Sequence, residues 1–197
     1  MSTVGTLYDE TVKFGYGKLL QTSTASGAAS IDFVAPLALD YDTFWFDLDS
    51  LTSAASQLLQ IFVSINSGST WITASGTYWY TFLYQPGGSA AASYSSSQLG
   101  GAETTYMRIG QPLVVPAGAY PMNGRVYFNL GPNRGVTGGH RQFDWITIGR
   151  DGTGYTATST GGGASTGTAP NGVRFSFAGN AMTGTIRCYG LKKGQGA

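Results

Sequence analysis

The chain has 197 residues, enough for one domain with a real core, yet only 11% of them are charged, against about 25% in an average globular domain. Eleven Lys and Arg offset ten Asp and Glu, leaving a net charge of +1 and no basic excess of the kind that neutralises nucleic-acid phosphates. Thirty glycines, a 13% aromatic share and polar positions filled by Ser and Thr describe strands joined by turns, not helices and not a disordered chain.

No window approaches the roughly 18 consecutive apolar residues of a membrane-spanning helix, so no membrane insertion is expected. The opening Met1-Ser2-Thr3-Val4-Gly5 has neither a charged nor an apolar region of the secretion-signal type. Cys188 stands alone, which excludes an intrachain disulfide, and no Asn-x-Ser/Thr sequon occurs. A free thiol without sequons suits synthesis in a bacterial cytoplasm.

In chain order, residues 1–16 hold Asp9, Glu10 and Lys13 among glycines and read as an extended N-terminal arm; 17–197 read as the domain. From Lys18 onward, short runs alternate with period two between turn signals. Thr43 to Asp49 sets Phe44, Phe46 and Leu48 on one face and Trp45, Asp47 and Asp49 on the other. Gln57 to Asn66 places Leu59, Ile61, Val63 and Ile65 together, and Ser75 to Tyr84 ends at Pro86-Gly87-Gly88. Tyr106 to Ile109, Gly124 to Leu130 and Gln142 to Arg150 follow. Asp151-Gly152 and Gly179-Asn180 supply the positive φ angles of two tight hairpin turns, the first before Thr153–Thr158 and the second between Val173–Phe177 and Thr183–Leu191. Gly87 to Gly101, Gly131 to Gly139 around Arg134, and Gly161 to Pro170 read as surface loops. Leu51 to Leu59 is too rich in Ser and Thr for more than a turn of helix. Roughly ten to thirteen strands with no convincing helix predict an all-β fold: an antiparallel β-sandwich, jelly-roll-like, behind the arm.

Catalytic chemistry finds little to stand on. His140 is the one histidine, so no histidine metal site forms, and no phosphate loop is present. Cys188 falls on the last strand as a packed small residue. Asp47 and Asp49 share one strand face about 6.5–7 Å apart, at the lower edge of the inverting-glycosidase separation, a pairing that any wet strand with two acids produces. Asp40, Asp42, Asp47 and Asp49 do not have the spacing of a calcium loop. No enzyme, cofactor or metal is expected.

The aromatics carry more information. Tyr78, Tyr80, Phe82 and Tyr84 line one face of their strand, Trp79 and Leu83 the other, and Trp45, Tyr127 and Tyr189 sit among charged residues. Rings on both faces mean that the nominally wet face is covered. Three readings stay open: a two-sided core, a subunit interface enriched in aromatics and Arg, or platforms for sugar rings. The candidate contact residues, for glycan or subunit, are Trp45, Trp79, Tyr84 and Arg134.

The closing run Gly172-Val173-Arg174-Phe175-Ser176-Phe177, then Gly179 to Leu191 with Thr183-Gly184-Thr185-Ile186-Arg187-Cys188-Tyr189-Gly190, resembles the final hairpin of many tailed-bacteriophage virion proteins. The opening is similar to that group as well, in Ala29-Ser30-Ile31-Asp32-Phe33, Tyr41 to Asp47, Leu59 to Ser64 and Gly76-Thr77-Tyr78. Residues 85–170 carry no likeness, and Cys188 stands where an aliphatic residue is usual. The resemblance implies a structural tail, fibre or head-decoration protein of the virion that assembles with copies of itself, commonly as a trimer, and with other virion proteins. Its alternative is a receptor- or glycan-binding module at a fibre tip, working through the loops at 85–102, 131–140 and 159–170 on a host surface glycan.

Overall fold

The computed structural model describes residues 17–38, 41–74, 78–86, 95–99, 105–109, 121–130, 141–150, 156–165 and 170–191. Strands hold 72% of these residues, and the one helical element is a single 3-10 turn, Pro36–Ala38. The strands are β1 (Lys18–Ala28), β2 (Ser30–Phe33), β3 (Thr43–Ser53), β4 (Leu59–Ser64), β5 (Tyr78–Pro86), β6 (Ser95–Leu99), β7 (Met107–Ile109), β8 (Met122–Asn129), β9 (Arg141–Arg150), β10 (Thr156–Ser165), β11 (Gly172–Ser176) and β12 (Met182–Leu191).

They form two antiparallel sheets, one ordered β1-β12-β3-β8-β9-β10-β5-β6 and the other β2-β11-β4-β7. The chain steps from sheet to sheet along β1, β2, β3 and β4, again from β7 to β8, and finally from β11 to β12. Those eight strands make a jelly roll, β1-β12-β3-β8 facing β2-β11-β4-β7, as the sequence predicts. The other four, β9-β10-β5-β6, widen the first sheet beyond its partner.

Alternation decides which side chains meet between the sheets. Phe44, Phe46 and Leu48 from β3 point inward with Val126 and Phe128 from β8, against Ile31, Phe33, Ile61, Val63, Val173 and Phe175 of the smaller sheet, all buried. Aromatic rings join the layers: Phe46 lies 5.2 Å from Phe33 and 5.1 Å from Phe175, centroid to centroid, in tilted geometries that suit ring quadrupoles. Within the large sheet, Phe128 stacks on Phe143 at 4.2 Å. Cys188 is fully buried on β12, as its alternation implies, and burial pushes its thiol pKa up.

Several expectations need correction. Gly161-Gly162-Gly163 is not loop but the middle of β10, paired on both sides with β9 and β5. The reason is packing. Trp145 on β9 fills the space a side chain at position 161 would occupy, and a Cβ there would sit 2.3 Å from the indole. Within the expected Gly87–Gly101 loop, Ser95–Leu99 forms β6 on the sheet edge beside β5. The second tight turn falls one residue earlier than predicted: Ala178 and Gly179 hold φ of 52° and 79°, and the Asn180 amide donates to the Phe177 carbonyl at 3.0 Å. That turn carries the chain from the small sheet to the large one, so β11 and β12 are not ladder partners. β9 and β10 do pair as expected, with Arg150 opposite Thr156. The arm at 1–16, Asp151-Gly152, and the 131–140 loop with Arg134 and His140 lie outside the described residues.

Candidate functional site

Both outer faces of the sandwich carry chemistry. On the large sheet the outward residues fall in rows set by strand register. Leu19, Tyr189, Trp45, Tyr127 and Asp144 lie opposite one another across five strands. The next row runs Arg187, Asp47, Arg125, Ile146, Thr160 and Leu83. Trp45 and Tyr189 stack at 5.2 Å with ring planes 9° apart, and the Arg125 guanidinium lies 5.8 Å from the centroids of both Trp45 and Tyr127. Gly17 crosses the Trp45 ring so closely that a Cβ there would overlap it.

The acids in these rows are engaged. Arg125 grips Asp47 with two hydrogen bonds, from Nε to Oδ1 and from Nη2 to Oδ2, the latter at 3.1 Å. Arg187 Nη1 donates to Asp49 Oδ2 at 3.0 Å, and this bond, with one from the Ser50 hydroxyl, holds the Asp49 carboxyl below the usual carboxylate range. A general acid needs the opposite shift from that of Asp49, and each acid of the pair is held in an ion pair with an arginine. The Asp47 pair also raises the Arg125 pKa. Among the described residues no cluster of three or more His, Cys, Asp or Glu is placed to hold a metal.

Beyond the ion pairs the same face also exposes large apolar side chains among polar ones. Among the described residues the exposed large hydrophobics are Leu19, Ile65, Leu83, Tyr127, Ile146, Ile148 and Leu191, and all but Ile65 lie on it. Ile146 and Ile148 are 54% and 45% exposed, which is far from the burial that β-branched side chains gain in a sheet core. A depression of about 450 Å³ runs beside them, bounded by Asp47, Arg125, Tyr127, Ile146, Ile148 and Thr158. Its floor is Gly124, at φ 155°, where a Cβ would lie 2.3 Å from the Ile146 carbonyl oxygen.

The smaller sheet's outer face is polar and aromatic. Arg174 on β11 pairs with Asp32 on β2 through Nε to Oδ1 at 2.7 Å and Nη2 to Oδ2 at 2.6 Å. Its guanidinium lies 4.4 Å from the ring centroid of Trp71. Phe62 contacts Tyr106 at 5.7 Å, and the Arg108 guanidinium sits 5.4 Å from the Tyr106 ring.

Of the four residues singled out from sequence, Trp45 takes its place in the Tyr189–Trp45–Arg125–Tyr127 array. Trp79 and Tyr84 lie on β5, with side chains outside the described set, and Arg134 lies outside it altogether. Sequence reasoning missed Trp71, Phe62, Gln60 and Arg174. Alternation around Arg174 and Gln60 marks them as outward, but nothing in the sequence signals that Trp71, beyond the Asn66-Ser67-Gly68 turn, folds back over them. No protein-family model, no curated protein and no solved structure matches this chain.

Proposed function

We propose that this protein is a non-enzymatic structural component of a phage-like virion, in the tail, fibre or head decoration, that assembles through the outer face of its large sheet. The exposed apolar side chains carry the reading: Tyr127 on β8 and Ile146 and Ile148 on β9 stand outward on adjacent strands, with Leu83 on β5 beyond Thr160 of β10. Large contiguous apolar patches on a soluble surface mark interaction sites. Eight strands about 4.8 Å apart, each offering about 20 Å of length, make a platform of roughly 700 Å², close to the ~800 Å² per partner of a stable interface. Aromatics and Arg together, with Lys and Glu scarce, match the composition of such contacts. The likeness of the closing and opening runs to tailed-phage virion modules supports the same reading, with a trimer as the expected symmetry and other virion proteins as further partners.

Native mass measurement of the purified protein tests it. The wild type is expected as a discrete oligomer, and Ile146→Glu/Ile148→Glu as a folded monomer with unchanged circular dichroism. A wild type that stays monomeric at every concentration and is missing from particles overturns the proposal.

A further inference from the structure

The smaller sheet bears a cleft of about 290 Å³ on the side of the sandwich away from Ile146 and Ile148. Register builds its floor. Ser30, Ser176 and Gln60 lie opposite one another across β2, β11 and β4, and Asp32, Arg174 and Phe62 form the adjoining row. Trp71 closes one side and the Ala178–Gly179 turn another.

Gln60 is the informative residue. It is only 8% exposed, it borders the cleft, and its side-chain amide makes no hydrogen bond to any described residue. An amide offers two donors and one acceptor carbonyl, and those of Gln60 are open to the cleft, since they are not among the fully buried unmatched atoms. A ligand seated in the cleft takes up these groups in place of water. Ser176 differs in that its hydroxyl is committed, donating to the Ala29 carbonyl and accepting from the Gly179 amide, both at 3.0 Å.

Arg174 is held in plane by Asp32 and by the Trp71 ring. Asp32 takes Nε and Nη2, which leaves the Nη1 donors for a ligand and cancels the charge. The cleft is thus neutral, edged by two aromatic rings and supplied with fixed planar donors and acceptors. The matching ligand is uncharged, carries many hydroxyls and has an apolar C–H face. Those are the properties of a pyranose ring. The volume sits at the lower edge of the ~300–1,000 Å³ range for ligand sites, room for one or two rings.

We infer that this cleft is a saccharide-binding site for neutral pyranoses, with Gln60 and the Nη1 group of Arg174 reading hydroxyls and Trp71 and Phe62 supplying the apolar contact. It does not rest on the assembly reading, because the two faces are opposite and use different residues.

Saturation-transfer NMR and calorimetry of the full-length protein, in its native oligomeric state, test it against neutral hexoses, deoxyhexoses, N-acetylhexosamines and their disaccharides. At least one class is expected to bind saturably. Gln60→Ala should weaken that binding about tenfold, the equivalent of one hydrogen bond, and Trp71→Ala should weaken it further. Ile146→Glu should leave it unchanged. If circular dichroism shows Trp71→Ala to be unfolded, Trp71→Phe takes its place. The inference is overturned if no neutral saccharide binds saturably, or if binding survives both Gln60→Ala and the Trp71 variant. An intact oligomer without sugar binding defeats this inference alone; sugar binding by a monomer defeats the assembly reading alone.

Discussion

The indole of Trp145 lies against the backbone of Gly161 on the neighbouring strand, so that a Cβ at 161 would be 2.3 Å from Cζ2 and 2.4 Å from the Thr81 carbonyl oxygen. Neither neighbour yields easily, since one is a large buried ring and the other is main chain in the paired strand.

Gly161→Ala is therefore expected to lower stability by about 1–3 kcal/mol, the range for overpacking a filled core. Gly162→Ala, one residue on, meets only the Asp144 carboxylate at 3.0 Å and the Phe143 carbonyl at 3.5 Å, and should lose less than half as much. Denaturant midpoints of the two variants at equal slope decide this. Equal losses would remove the role assigned to Trp145.

Tyr78 ties the start of β5 to the far end of β4. Its hydroxyl accepts from the Val63 amide at 2.9 Å and donates to the Ile72 carbonyl at 3.0 Å. Tyr78→Phe leaves both groups short of a partner and should cost about 1–3 kcal/mol. Burial pushes the Tyr78 pKa up to about 12, above the ordinary tyrosine value. A raised folded-state pKa means that this contribution is complete below about pH 10 and drains away as pH climbs through 12. Stability measured from neutral to alkaline pH should fall more steeply in the wild type than in Tyr78→Phe. Parallel curves would refute the assignment.

Cys188 has no exposed surface, and its thiol is held in the protonated, unreactive form by desolvation. Alkylating reagents should leave it unmodified in the native protein and label it fully in denaturant, with the native rate tracking global unfolding. Fast native labelling, independent of denaturant, would contradict its place in the core.

The sequence makes some of this architecture readable for a physical reason. Phe44, Phe46 and Leu48 alternate with Trp45, Asp47 and Asp49 because one face of β3 is dry, and a period of two survives wherever that holds. β10 gives no such signal. Its central glycines mimic a linker, and the feature that requires them, Trp145, lies on another strand. Ser95–Leu99 is equally silent, since serines pair along a sheet edge without leaving a hydrophobic pattern. Trp45 and Asp47 are legible as outward residues, but their linkage through Arg125 depends on the β3–β8 register. The Gln60–Trp71 cleft is the least legible of all, because the segment after β4 returns over the sheet without periodicity.

The placement of β12 between β1 and β3 has a consequence for how the molecule is made. Lys18 pairs with Gly190 and Thr43 with Leu191, so among the described strands β1 has no ladder neighbour until β12 has been made. Such long closures slow folding and leave β1 as an open template in the meantime. A nascent chain stalled before Met182 would leave β1 separated by a strand-wide gap from the other six strands of the large sheet, a vacancy that β12 of a neighbouring chain has the shape to fill.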